Sequence, residues 1–213
     1  MSFDKINYKI KVIDNFLNRD DFEKISNLNI DTNVNQGIKI YHNEINGKKI
    51  LKSTIDNDLL FNLNKYHDKA ISILNELCPE KVSLYDYSSF TLMITNKDAK
   101  FPYHVDTPNK LLSSVIYIKP EKNKGTTFSN DSKGNKRETV EWKQNRAVFF
   151  SRKERETWHA YGGDGISNRV TLVYNLNSYR LKEVYRVENK SYFFGNLRYK
   201  INPYIYKYLK FTI

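Results

Sequence analysis

FPYHVDTPN, residues 101–109, sets His104 two positions before Asp106. On a strand, residues i and i+2 point to the same face, so the imidazole and the carboxylate can converge on one point. Fifty-three residues past Asp106 comes His159, in ETWHAYGG, just after the apolar run Ala147-Val148-Phe149-Phe150. Ten residues further, Arg169 and Thr171 share one face of the expected strand NRVTLVYNL. A guanidinium fork and a hydroxyl on one face can grip a carboxylate.

Around these residues the chain reads as strands. Residues 82–94, 111–118, 126–128, 138–142, 147–150 and 170–176 are rich in β-branched and aromatic residues, with turn-forming segments between them. Upstream, residues 8–13 alternate apolar and charged side chains, the period of a half-buried strand. Asn18 is a candidate N-cap for a short helix carrying Phe22, Ile25 and Leu28. Asp56 or Asp58 is one for a second helix, which carries Leu59, Leu60, Leu63, Ala70, Ile73, Leu74 and Leu77 and ends before Pro79. Residues 31–52 read as irregular chain or short strands. Helices first and strands after give an α+β class, with a jelly roll and the N-terminal helices packed on one sheet.

The composition excludes other classes. A chain of 213 residues with 16 Tyr and 12 Phe can bury a sizeable core, and eight Gly and five Pro exclude collagen-like sequence. No apolar run reaches membrane-spanning length, and the first residues lack the apolar stretch of a signal peptide. A single cysteine, Cys78, is the pattern of a reducing, cytoplasmic setting, and it reads as a small buried hydrophobe. The net charge of +11 is unevenly spread. Residues 180–213 hold eight Lys/Arg against two Glu, together with nine aromatics including Tyr204, Tyr206, Tyr208 and Phe211.

Two histidines and one carboxylate form the facial triad of a non-haem Fe(II) site, which leaves coordination positions open. Zinc takes the same ligands. The Arg169-x-Thr171 pair favours iron with an organic-acid co-substrate.

The run from about 101 to 176 resembles the double-stranded β-helix of the Fe(II)/2-oxoglutarate-dependent dioxygenases, and most closely their prolyl-hydroxylase-like branch. The order is His-x-Asp, a strand with Tyr117, the step Gly125-Thr126, Arg146-Ala147-Val148-Phe149-Phe150, His159, then Arg-x-Thr. The N-terminal KVIDNFLNRDDFEKI is also similar to the start of such domains. The resemblance implies that His104, Asp106 and His159 hold Fe(II). It implies that Arg169 takes the far carboxylate of 2-oxoglutarate, with Tyr117 and Thr171 as hydroxyl partners. O2 is then the second co-substrate, and an unactivated C–H bond of a protein side chain or small molecule is hydroxylated with release of succinate and CO2. Where that branch has tyrosines before the first His, this chain has Phe101 and Ile94, so the primary substrate stays open.

The resulting organisation is a dioxygenase domain over residues 1–179, with a helical part at 1–80 and a jelly-roll core at 82–179, followed by a basic extension at 180–213. Three readings of the extension stand: a terminal strand and helix packed on the barrel, a nucleic-acid arm on a catalytically silent jelly roll, or a dimerisation arm. The turn 162–165 reads as a tight hairpin between core strands. Phe149, Phe150, Leu172 and Tyr174 read as core before pocket lining, and His42 and His67 as ordinary surface or structural residues.

Overall fold

The computed structural model describes residues 3–209. Phe211 lies outside them, as do the side chains of Tyr206 and Tyr208. The strands, in chain order, are β1 (Ile10–Ile13), β2 (Ile38–Asn46), β3 (Lys49–Lys52), β4 (Tyr87–Thr95), β5 (Lys100–His104), β6 (Lys110–Lys119), β7 (Thr126–Ser129), β8 (Arg137–Val140), β9 (Ala147–Phe150), β10 (Trp158–Gly162) and β11 (Arg169–Asn177). A seven-stranded sheet runs β1-β9-β6-β11-β4-β2-β3, and a four-stranded sheet β5-β10-β7-β8 faces it. Neighbouring strands pair antiparallel. This is an α+β jelly roll, as the sequence leads one to expect.

Helices α1 (Arg19–Ser26), α2 (Asn57–Asn64) and α3 (His67–Leu77) cover the outer face of the large sheet. Asn18 caps α1 by accepting from the Asp21 amide, and Asp56 caps α2 by accepting from the Leu59 amide. In each case a side-chain oxygen satisfies one of the first-turn N–H groups that has no partner inside the helix. The expected single helix is broken at Tyr66 (φ −80°, ψ 2°). That kink turns the Tyr66 ring onto Phe16, where its hydroxyl accepts from the Asn18 amide and donates to Asp21.

Alternation along β11 divides the molecule into two compartments. Val170, Leu172, Tyr174 and Leu176 enter the core with Leu60, Ile73, Phe90 and Phe149 between the large sheet and the helices. Each such fully buried side chain contributes roughly 1.5–3 kcal/mol. Arg169, Thr171, Val173 and Asn175 face the small sheet instead.

One expectation narrows to one of its two alternatives and three change. Residues 31–52 hold the β2–β3 hairpin, which extends the large sheet beyond β4. The 82–94 strand begins only at Tyr87, because Pro79–Leu84 forms a 3-10 helix. The turn after β10 is not a hairpin: β10 belongs to the small sheet and β11 to the large one, so the turn carries the chain between them. Among the described residues the extension has no strand; it forms α4 (Leu181–Val187) and α5 (Tyr192–Leu209). Val184 and Tyr185 of α4 are buried, whereas Phe193, Phe194, Leu197 and Tyr204 of α5 are exposed.

Candidate metal centre and its cavity

β5 and β10 are neighbours in the small sheet, and the register sets His104 directly opposite His159. The ring centroids are 4.2 Å apart. Asp106 lies past the end of β5, so it reaches the same point through the turn rather than by strand alternation. One donor atom from each of His104, Asp106 and His159 lies within 4.8 Å of the others.

Both imidazoles are held in one tautomer. Nδ1 of His104 donates to the Pro102 carbonyl at 3.0 Å, and Nδ1 of His159 to the Thr157 carbonyl at 3.3 Å. A carbonyl oxygen only accepts, so the proton sits on Nδ1 and the Nε2 lone pair is left for a metal. Burial, reinforced by the neighbouring His159, pushes the His104 pKa down to about 3, and burial also lowers His159. Neutral imidazole is the form that ligates.

The Asp106 carboxylate has two distinct oxygens. Oδ1 accepts from the Lys110 ammonium at 2.6 Å, and Oδ2 lies 3.9 Å from Nε2 of His159. Burial alone would raise the pKa of this group. The Lys110 ammonium beside it, with the two adjacent imidazoles, outweighs that and holds the carboxyl below the usual range. Lys110 carries no local motif; its role depends on the turn that brings position i+4 back onto Asp106.

A cavity of about 260 Å³ opens between the two sheets over these ligands. The expected core residues divide there: Phe150 lines the cavity, whereas Phe149, Leu172 and Tyr174 belong to the core behind it. Arg169 and Thr171 line one end. Arg169 is 2% exposed, its guanidinium carbon is 4.6 Å from the Tyr161 ring and 5.1 Å from that of Trp142, and Nε has no hydrogen-bond partner. Nη1 makes only a long contact, 3.5 Å, to the Lys124 carbonyl. No ion pair of Arg169 with a carboxylate occurs among the described residues. A buried cation of this kind is costly unless an anion completes it.

Tyr117 stands opposite Thr171 in the register but does not line the cavity. Its hydroxyl donates to Thr126 Oγ1 and accepts from the Thr126 amide, both at 3.0 Å, and its ring stacks on Trp142. Thr126, not singled out from the sequence as a hydroxyl partner, lines the cavity at this point. It can do so because Gly125 precedes it: a Cβ on Gly125 would lie 1.8 Å from the Val140 carbonyl oxygen.

His42 and His67 lie away from the cluster. His42 bridges Thr91 and Glu44 at 2.8 and 2.7 Å, and the His67 ring lies tilted against Tyr85 at 4.7 Å. Cys78 packs against the main core but is half-buried, not fully buried as expected. The loop before His159 is tied to the extension by groups no local pattern reveals. Glu188, just past α4, accepts from Lys81 Nζ at 2.7 Å, Arg152 Nη1 at 2.6 Å and the Glu154 amide at 2.9 Å. Arg152 Nε reaches the Asp106 carbonyl at 3.3 Å, and Arg198 of α5 pairs with Glu154.

No protein-family model matches the chain, and no curated protein matches its sequence. Solved structures do match its fold. A prolyl-4-hydroxylase from Pseudomonas putida superposes with a TM-score of 0.55 at 13% identity, over 81% of this chain and 94% of that one. A 2OG-Fe(II) oxygenase family oxidoreductase from Burkholderia pseudomallei gives 0.58 at 12% identity, over 79% and 84%. A prolyl hydroxylase from Trichoplax adhaerens, in complex with a hypoxia inducible factor oxygen degradation domain peptide fragment, gives 0.55 at 16%, over 83% and 86%. The chain therefore has the fold of the prolyl-hydroxylase-like 2-oxoglutarate oxygenases. Among the described residues no helix is long and apolar enough to cross a membrane.

Proposed function

We propose that this chain is an Fe(II)- and 2-oxoglutarate-dependent dioxygenase that hydroxylates an unactivated C–H bond of its substrate. The observation that carries the reading is the pairing of a His104–Asp106–His159 cluster with a buried, carboxylate-free Arg169 on the wall of the same cavity. A zinc hydrolase would use the cluster but leaves Arg169 without a role. The jelly roll of oxygenase type supports the same choice. A nucleic-acid arm draws no support from α4, whose Val184 and Tyr185 are committed to the interior.

His104 and His159 would hold Fe(II) through Nε2, and Asp106 through Oδ2 while Lys110 holds Oδ1. With iron, O2 and 2-oxoglutarate bound, oxidative decarboxylation of 2-oxoglutarate to succinate and CO2 supplies the oxidising power for C–H hydroxylation. The residues of this chain bind, orient and exclude water. Arg169 takes the far carboxylate of the co-substrate by a charge-assisted fork, with the Thr171 hydroxyl beside it, while Tyr117, its hydroxyl engaged by Thr126, holds Thr126 at the cavity wall. Tyr161, Trp142 and Tyr117 form an aromatic surround that keeps water from that ion pair and so strengthens it. Phe101 and Phe150 flank the imidazoles at 4.5 and 4.8 Å and screen the metal side of the cavity.

The test is succinate formation with Fe(II), 2-oxoglutarate and O2, and its loss in Asp106→Ala. Absence of 2-oxoglutarate binding to the anaerobic Fe(II) protein refutes the proposal.

A further inference from the structure

The cavity is longer than its co-substrate half. From Arg169 to Asn175, six residues along β11, the strand runs about 20 Å. His159 touches Phe150, the register partner of Ser113, so the cluster borders the end away from Arg169, and a co-substrate spanning from the metal to Arg169 leaves the Ser113 end free. That end is walled by Ser113 on β6, Asn175 on β11 and Phe150 on β9.

Ser113 and Asn175 stand across from each other on paired strands, in the register bracketed by Leu172↔Ile116 and Leu176↔Leu112. Neighbouring strands lie about 4.8 Å apart, so both groups can reach one small ligand. They are 2% and 4% exposed. Ser113 Oγ and Asn175 Oδ1 have no hydrogen-bond partner, although both residues line the cavity. The rest of the Asn175 amide is engaged: Nδ2 donates to Ser89 Oγ at 3.2 Å. Buried polar groups in folded proteins are paired as a rule, and two facing each other beside a metal centre point to a ligand that pairs them. Val115 and Val173, two residues along on the same strand faces, are apolar, so the pair is the local polar demand on this wall.

We infer that this half of the cavity takes a primary carboxamide of the substrate, not an apolar ring such as a prolyl side chain. The inference rests on the dioxygenase reading and specifies its substrate class. A carboxamide donates through its NH2 to Asn175 Oδ1 and accepts through its carbonyl from the Ser113 hydroxyl. It matches the pair in either orientation of the Asn175 amide, because it offers a donor and an acceptor side by side. An apolar ring leaves both protein groups buried and unpaired, a penalty of about ten- to a hundredfold in affinity for each.

The experiment uses the full chain loaded with Mn(II), a redox-silent substitute for Fe(II), and 2-oxoglutarate. Two probes are compared by paramagnetic broadening of their proton resonances: propionamide, and N-acetylpyrrolidine as the prolyl-ring mimic. The expected result is at least a tenfold preference for propionamide. That preference falls about tenfold or more in Ser113→Val and in Asn175→Leu, and less in the conservative Ser113→Ala. Binding of 2-oxoglutarate is titrated in every variant, so a variant that fails to fold is recognised and replaced by the conservative one. Equal broadening, a preference for N-acetylpyrrolidine, or variants that leave the preference intact overturns the inference while 2-oxoglutarate binding persists. Loss of 2-oxoglutarate binding in the unmodified chain instead sinks the dioxygenase reading, and this inference with it.

Discussion

Replacing Glu188 by alanine removes the hub of a buried ionic network. Its carboxylate accepts from Lys81, Arg152 and the Glu154 amide, and Lys81 and Arg152 are each about 1% exposed. Arg152 keeps Glu154 and Tyr185 as partners, but Lys81 is left with a single carbonyl, that of Arg152. Stranding a buried charge costs about 3–5 kcal/mol, whereas a surface ion pair contributes about 1 kcal/mol or less. For a chain of this size that is a fall in Tm of about 6–20 °C. Urea titration followed by circular dichroism measures the loss directly. Adding Lys81→Met to the Glu188 variant is expected to recover part of it, since one stranded cation is then gone. A loss below about 1 kcal/mol, or no recovery in the double variant, refutes the view that this network is buried and interdependent.

Three further outcomes are expected. Arg169→Leu leaves thermal stability unchanged or higher, since it deletes a buried cation with no carboxylate partner, while 2-oxoglutarate affinity measured by calorimetry falls at least about a hundredfold. Gly125→Ala destabilises by about 1–3 kcal/mol in urea titration, because the new methyl group meets the Val140 carbonyl and pushes Thr126 from its place. Burial lowers the His67 pKa, so the unfolded state binds more protons than the folded one near its unperturbed pKa of about 6.5. The contribution of His67 is thus complete above that pH and declines as pH falls toward the folded pKa, by at most about 1.4 kcal/mol per pH unit. Stability of the His67→Phe variant, measured from pH 7.5 to 5.5, should decline less steeply than that of the unmodified chain.

The candidate site was legible in part from local spacing. Arg169 and Thr171 share a strand face, as read; His104 and Asp106 were picked out by their proximity in sequence, although a turn and not strand alternation brings Asp106 to the cluster. Asn18 was readable as a cap from local spacing too, and Asp56 as one of two candidates with Asp58. Lys110 was not, because its contact depends on the path of a turn. Nor was the Glu188 network, since its members lie 36 and 107 residues from one another along the chain. The β2–β3 hairpin escaped because it combines lysines, asparagines and isoleucines without clean alternation. On β11 the shared face of Arg169 and Thr171 was legible, but only its pairing with β4 and β6 shows that its two faces serve different compartments.

That two-faced strand has a consequence for how the protein can vary. Positions 169, 171, 173 and 175 address what enters the cavity, and positions 170, 172, 174 and 176 hold the helices to the sheet. Selection can therefore exchange the former for new ligands with little effect on the packing that keeps the chain folded. Deletion of a single residue just after Arg169 would reverse the facing of the strand beyond it, presenting leucines to the cavity and Thr171, Val173 and Asn175 to the helices. Substitution is thus the open route for divergence here, and change of length within β11 is the closed one.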